Sequence, residues 1–148
     1  MRKQILIAAI AFAFLAAAPS AQAGAAANKK IVLALFKTLF VEHKVDEAID
    51  KYVDPGYIQH NPMAATGSEP VRAFFKQYYE KVPTATAVFK RILAEGDLVA
   101  VHYNSKSGPD DRGFAVVDIF RLAHGKIVEH WDVVEPVPEK SANDNTMF

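Results

Sequence analysis

Pro83 separates two stretches of the chain that repeat with different periods. Before it, apolar residues recur at the spacing of a helix face; after it, they alternate as in half-buried strands. Ile31, Val32, Leu35, Phe36, Leu39 and Phe40 mark one amphipathic helix, running from Lys29 to about Lys44. A second starts at Asp46 as N-cap, buries Ile49, Tyr52 and Val53, and is stopped by Asp54-Pro55-Gly56. Tyr57-Ile58-Gln59-His60-Asn61-Pro62 has no period and reads as an ordered loop. Ser68 caps a third helix, with Val71, Phe74, Phe75, Tyr78 and Val82 on its buried side. Four strands follow, at about 85–94, 98–104, 113–122 and 126–134. Glu95-Gly96-Asp97 and His124-Gly125 are short enough to close antiparallel hairpins, and the polar stretch from Ser105 to Arg112 is a loop able to lie at the mouth of a site. Helices first and a meander second make an α+β domain, with the helices packed on one face of a curved antiparallel sheet.

The first 23 residues are of another kind. Arg2 and Lys3 precede an unbroken apolar run from Ile5 to Ala18, and Ala21-Gln22-Ala23 supplies a small-x-small cleavage pattern. The run is too short for a membrane span, which needs roughly 20 apolar residues. The expected organisation is therefore a secretory leader over 1–23, a flexible mature start over 24–28, a domain over 29–138 and a polar tail over 139–148, placing the protein in the periplasm or outside the cell. Of the 148 residues, 17 are basic and 17 acidic; losing Arg2 and Lys3 leaves 15 basic residues, so the mature chain is slightly acidic. Nucleic acid is then a poor partner, since it is bound through clustered cations. The absence of cysteine excludes a thiol nucleophile, a disulfide framework and cysteine-ligated metal.

With His124-Gly125 as a two-residue turn and no bulge, Asp118 faces Trp131, Phe120 faces Glu129 and Leu122 faces Ile127, all on one side of the hairpin. Val117, Ile119, Arg121, Val128, His130 and Asp132 share the other side, and a single bulge would swap part of this assignment, letting Asp132 compete with Asp118. The apolar members make the first side the inward one. Asp118, inside Val116-Val117-Asp118-Ile119-Phe120, then calls for either a structural partner in the core or a proton-transfer role in an apolar pocket. His102, on the neighbouring strand, and His60, in the loop after Tyr57, are the imidazoles that can join it. No histidine pair has the short spacing of common metal sites, so neither metal nor cofactor is expected. A phosphate loop and a nucleophile elbow are missing as well.

Val117-Asp118-Ile119-Phe120-Arg121-Leu122, with Gly125-Lys126-Ile127-Val128-Glu129-His130-Trp131-Asp132-Val133-Val134, resembles the closing hairpin of SnoaL-like polyketide cyclases in the nuclear transport factor 2-like superfamily. Tyr57 to Pro62 is similar to the loop after the second helix of that group. The resemblance, over about Ile31 to Pro138, implies a cone-shaped α+β barrel, a homodimer and an apolar pocket. It further implies a cofactor-free aldol or isomerisation step on a small hydrophobic carbonyl compound. Asp118 is in the place of the general acid/base and His102 in that of a pocket histidine; His60 or Tyr57 are further donors, and Phe120, Glu129 and Trp131 complete the lining. A binding module without catalysis, or a dehydratase or epoxide hydrolase on the same fold, fits the same resemblance. Exported protein should begin at Gly24 by mass spectrometry, and an intact Met1 on secreted material would refute the leader.

Overall fold

The structure, a computed structural model, describes residues 20–148; the expected leader lies outside the described residues except for Ser20 to Ala23. Helix α1 (Ser20–Phe36) runs into a π-helical turn (Lys37–Val41). Then come α2 (Val45–Tyr52), β1 (Val53–Gln59), α3 (Ser68–Lys81), β2 (Thr86–Glu95), β3 (Leu98–Lys106), β4 (Phe114–Ala123) and β5 (Lys126–Pro136). The strands form one five-stranded sheet in the order β1-β5-β4-β3-β2, so the fold is the α+β class expected from the change of period. Consecutive strands from β2 to β5 pair antiparallel.

The core forms where α1 and α2 meet the inward side of the sheet. Val32, Leu35 and Phe36 of α1 and Ala48, Ile49 and Tyr52 of α2 pack with Val99, Val101, Tyr103, Val116, Phe120, Leu122 and Ile127. Strict alternation carries this: Val99, Val101 and Tyr103 on β3, and Val116, Asp118, Phe120 and Leu122 on β4, are all buried, while the residues between them point away.

Four local expectations are corrected. Residues 24–28 are helical rather than flexible: three consecutive alanines favour a helix, Ala25 is buried, and Asn28 Nδ2 donates to the Gly96 carbonyl at 3.2 Å. The N-caps are Lys44 and Gly67, neither giving a side-chain bond, so Asp46 and Ser68 fall inside their helices; Gly67 reaches a φ of 105° that favours glycine. Helix α3 does not pack into a closed core, for Phe74 is exposed and Val71, Phe75 and Tyr78 are half-buried above a cavity. Finally, Val53 to Gln59 is a strand rather than a helix end and loop, and it pairs parallel with β5, Ile58 opposite Glu129 and Gln59 opposite His130. Pro55 and Gly56 hide it from any periodic reading, and its partner lies about 70 residues on.

One carboxylate ties the two ends of the β3–β4 connection, beside bonds from Lys106 Nζ to the Pro109 carbonyl and from Asn104 Nδ2 to the Arg112 carbonyl. Asp111 Oδ2 accepts from the Ser107 backbone N–H at 2.8 Å and the Ser107 hydroxyl at 2.7 Å, and Oδ1 accepts from the Gly113 N–H at 2.9 Å. These bonds, the Ser107 N–H first, then the Ser107 hydroxyl and the Gly113 N–H, hold the Asp111 pKa down at about 2. Since an unfolded Asp titrates at about 3.9, the charged form stabilises the native loop above that value. The contribution disappears as pH falls through about 2. Asp111→Asn should therefore lower the melting temperature at pH 7, with the gap from wild type closing between about pH 4 and pH 2; a gap independent of pH would show that the charge is not the source.

Candidate functional site

The interior between α3, the α1–α2 corner and the sheet is not filled. A cavity of ≈ 470 Å³ remains, walled by Leu35, Leu39, Phe40, Val71, Phe75 and other apolar side chains, with ionisable and amide groups from β1, β3, β4 and β5, Thr86 of β2 and two tyrosines of α3 among its lining. Size and lining are those of a small-molecule site.

Asp118, His130 and Asp132 are brought together by the β4–β5 ladder. Leu122 faces Ile127, but the register then shifts, so Arg121 faces Glu129, Phe120 faces His130 and Asp118 faces Asp132. Val128 is the extra residue of this bulge. Beyond it, every β5 side chain lies on the side opposite to that of a regular hairpin: His130 is buried and both it and Asp132 line the cavity. His130 Nε2 lies 3.3 Å from Asp118 Oδ1, an ion-pair distance between two buried side chains.

Gln59 sets the state of this pair. Its Oε1 accepts from the Asn61 backbone N–H at 3.0 Å, which fixes the amide orientation because a backbone N–H can only donate. The same Oε1 lies 2.9 Å from His130 Nδ1, so Nδ1 carries a hydrogen, and Nε2 is the atom left to share a proton with Asp118. Gln59 Nε2 in turn donates to the Tyr57 hydroxyl at 3.0 Å, which occupies that oxygen as acceptor and leaves its hydrogen free to point into the cavity. Burial first, then the charges of Asp118 and Asp132, push the Tyr57 phenol well up. Burial and then Asp118 do the same to Tyr103, so both remain hydroxyl donors near neutral pH. Asn61 Nδ2 holds Asp132 Oδ2 at 2.7 Å. The arrangement combines a carboxylate–imidazole pair able to take and return a proton with phenols able to donate to a developing oxyanion.

Residues 32–130 match the family described as the SnoaL-like domain. The chain belongs to that family. Among curated proteins no match is found. Solved structures share the fold. A putative ketosteroid isomerase from Kribbella flavida aligns with a TM-score of 0.66 at 18% identity, over 80% of this chain and 85% of its own. A putative SnoaL-like polyketide cyclase from Jannaschia gives 0.60 at 24% identity, over 74% and 85%. Bal32a, from a soil-derived mobile gene cassette, gives 0.65 at 16% identity, over 75% and 91%.

In this SnoaL-like domain Asp118, Tyr57 and Phe120 line the cavity. Four other candidates do not. His102 alternates with the inward Val101 and Tyr103 and so points out of the other side of β3, where its Nδ1 meets Arg91 Nη1 at 2.8 Å and its ring stacks on Phe148. Burial, helped by the Arg91 and Lys90 charges, holds its pKa below the ordinary imidazole value. His60 is exposed on the outer side, stacked on Trp131 at 4.8 Å, with Nε2 2.8 Å from Glu129 Oε1. Glu129 and Trp131 belong to this outer cluster because of the bulge: Arg121 Nε bonds Glu129 at 2.8 Å and its guanidinium lies over the Trp131 ring. Arg121 first, then His60, lowers the Glu129 pKa.

The SnoaL-like site also contains Tyr103, His130 and Gln59, which are not among the sequence candidates, and Asp132, the alternative that a bulge would bring in. Tyr103 follows from the β3 alternation once Val101 is inward; His130 and Asp132 needed the bulge, and Gln59 needed the parallel strand. Asp118, His130 and Asp132 offer one ligand atom each, all within 4.8 Å of one another, a nitrogen–oxygen donor set of the kind that suits a divalent transition metal. Spacing along the chain could not reveal that trio, since β4 supplies one member and β5 two.

Proposed function

We propose that this SnoaL-like protein is an exported, cofactor-independent enzyme of aldol-cyclase or isomerase type, moving a proton next to the carbonyl of a small hydrophobic compound. The observation that carries the reading is the buried Asp118–His130 pair at 3.3 Å in the wall of an apolar cavity. Asp118 removes the proton, His130 shares it through Nε2, and the Tyr57 hydroxyl, turned by Gln59, stabilises the enolate oxygen. Neighbours described as a putative ketosteroid isomerase and as putative polyketide cyclases support the reaction class. Asp118→Asn should lower α-proton exchange of cyclohexanone, 2-tetralone and a steroid ketone in D₂O, followed by NMR, by about 10²–10⁴-fold with the circular dichroism spectrum unchanged. Exchange should survive EDTA; loss on chelation would assign the trio to a metal. No catalysed exchange by wild type would leave a binding module as the reading, and exchange unchanged in the variant would reject Asp118 as the base.

We further propose that the outer side of the sheet pairs two copies. Val117, Val133 and Leu93 are exposed there at 37%, 70% and 68%, an apolar set that none of the described residues covers fully. Sedimentation velocity should give a dimer for wild type and a monomer for Val133→Lys; a wild-type monomer at micromolar concentration would refute the pairing.

A further inference from the structure

Asp132 is a charged residue of the cavity wall that the proton-transfer reading does not use. It stands directly across the β4–β5 ladder from Asp118, and both line the cavity. Like charges placed opposite one another in a sheet repel, and a buried carboxylate is costly unless something pairs with it. Asp118 is only 5% exposed and His130 8%. Among the described residues no lysine or arginine lines the cavity. His130 can therefore set one positive charge against two negative ones, and the cluster is short of cationic charge.

The donor atoms are also placed as ligands of one ion. Asp118, His130 and Asp132 offer one atom each, all within 4.8 Å of one another. His130 Nε2 and Asp118 Oδ1 are 3.3 Å apart. Charge-assisted N–H···O bonds are shorter, roughly 2.7–2.9 Å. Two ligands about 2.0–2.1 Å from one tetrahedral ion are themselves about 3.3–3.4 Å apart, which is the separation found. Asp132, the least buried of the three, has room to close the remaining distance. Behind two of the ligands stand amides. Gln59 Oε1, 2.9 Å from His130 Nδ1, keeps the hydrogen on that nitrogen and turns Nε2 to the carboxylates, and Asn61 Nδ2 holds Asp132 Oδ2 at 2.7 Å. Metal-binding imidazoles and carboxylates are oriented by such partners.

We propose that Asp118, His130 and Asp132 form a site for one divalent transition-metal ion of the zinc type. One imidazole with two carboxylates suits such an ion better than Mg²⁺ or Ca²⁺, which take oxygen ligands. The ion and the proton-transfer role exclude each other, because an Asp118 carboxylate bound to a cation no longer acts as a base. The metal-loaded protein is thus an inhibited state of the enzyme proposed above. The site itself stands on the cluster and holds whether or not that enzyme reading does.

The test is calorimetric titration of untagged protein, stripped with EDTA and dialysed, with ZnCl₂ and separately with MgCl₂. Wild type should take up one equivalent of Zn²⁺ and bind it far more tightly than Mg²⁺. Asp118→Asn, His130→Gln and Asp132→Asn should each weaken Zn²⁺ binding by more than the roughly 10–100-fold that follows loss of a group behind a ligand. His60→Asn, on the outer side of the sheet, should bind as wild type does. Zn²⁺ should raise the wild-type melting temperature, and the rise should be absent from every ligand variant that keeps its circular dichroism spectrum. No one-equivalent binding, binding retained in the three ligand variants, or its loss in His60→Asn overturns the site and leaves the proton-transfer reading untouched. Where EDTA-treated wild type catalyses ketone exchange, one equivalent of Zn²⁺ should abolish it; exchange that persists or rises at full occupancy overturns the inhibition. Absent exchange in EDTA, beside Zn²⁺ binding lost in the ligand variants, removes the proton-transfer reading and upholds the metal site.

Discussion

One unpaired residue in the β4–β5 ladder decides what the cavity contains. The two strands pair regularly next to their turn and again beyond Val128, offset by one residue. Without that offset the inward side would present Glu129 and Trp131, and the buried end of the cavity would hold a large indole and a flexible acid. With it, an imidazole and a second carboxylate meet Asp118, and the indole moves outside to stack with His60 and Arg121. The outward cluster keeps its charges solvated and paired, whereas the inward one brings ionisable groups into an apolar enclosure where their interactions are strong. A bulge is a small change in chain geometry, yet here it sorts four side chains between two environments of opposite character.

The two helices that build the core and the four sequential strands could be read directly from period, because burial on one side imposes the period and local turns set the boundaries. Asp118 was visible for the same reason, being a charge within an apolar alternation. What stayed hidden depended on pairing rather than on composition. No glycine or proline stands at Val128 to announce a bulge, so the regular register puts His130 and Asp132 outward and only a bulge of unmarked position brings them in. His102 lacked a fixed register, since the polar loop from Ser105 to Gly113 separates it from β4. Val53 to Gln59 contains Pro55 and Gly56, both poor in strand interiors, and becomes a strand only because β5 offers it an open edge. Gln59 could not be singled out before that strand was known.

Polar contacts in the site are arranged in a chain rather than a ring. Asn61 orients Gln59 and holds Asp132; Gln59 orients His130 and Tyr57; His130 faces Asp118. Each group thereby has its hydrogen assigned by the one before it, and the starting point is a backbone N–H, the donor least able to change role. Such a chain prepares the side chains before any ligand arrives, so little reorganisation is required of them during a reaction.

The parallel pairing of β1 with β5 also has a kinetic meaning. Gln59 and His130 are 71 residues apart, on opposite sides of the whole meander in sequence though adjacent in the sheet. Contacts of that sequence separation carry the greatest loop-closure entropy and tend to form late. The contact that orients His130 is of this kind, so a chain that had buried its core without docking β1 would be compact with that imidazole unoriented.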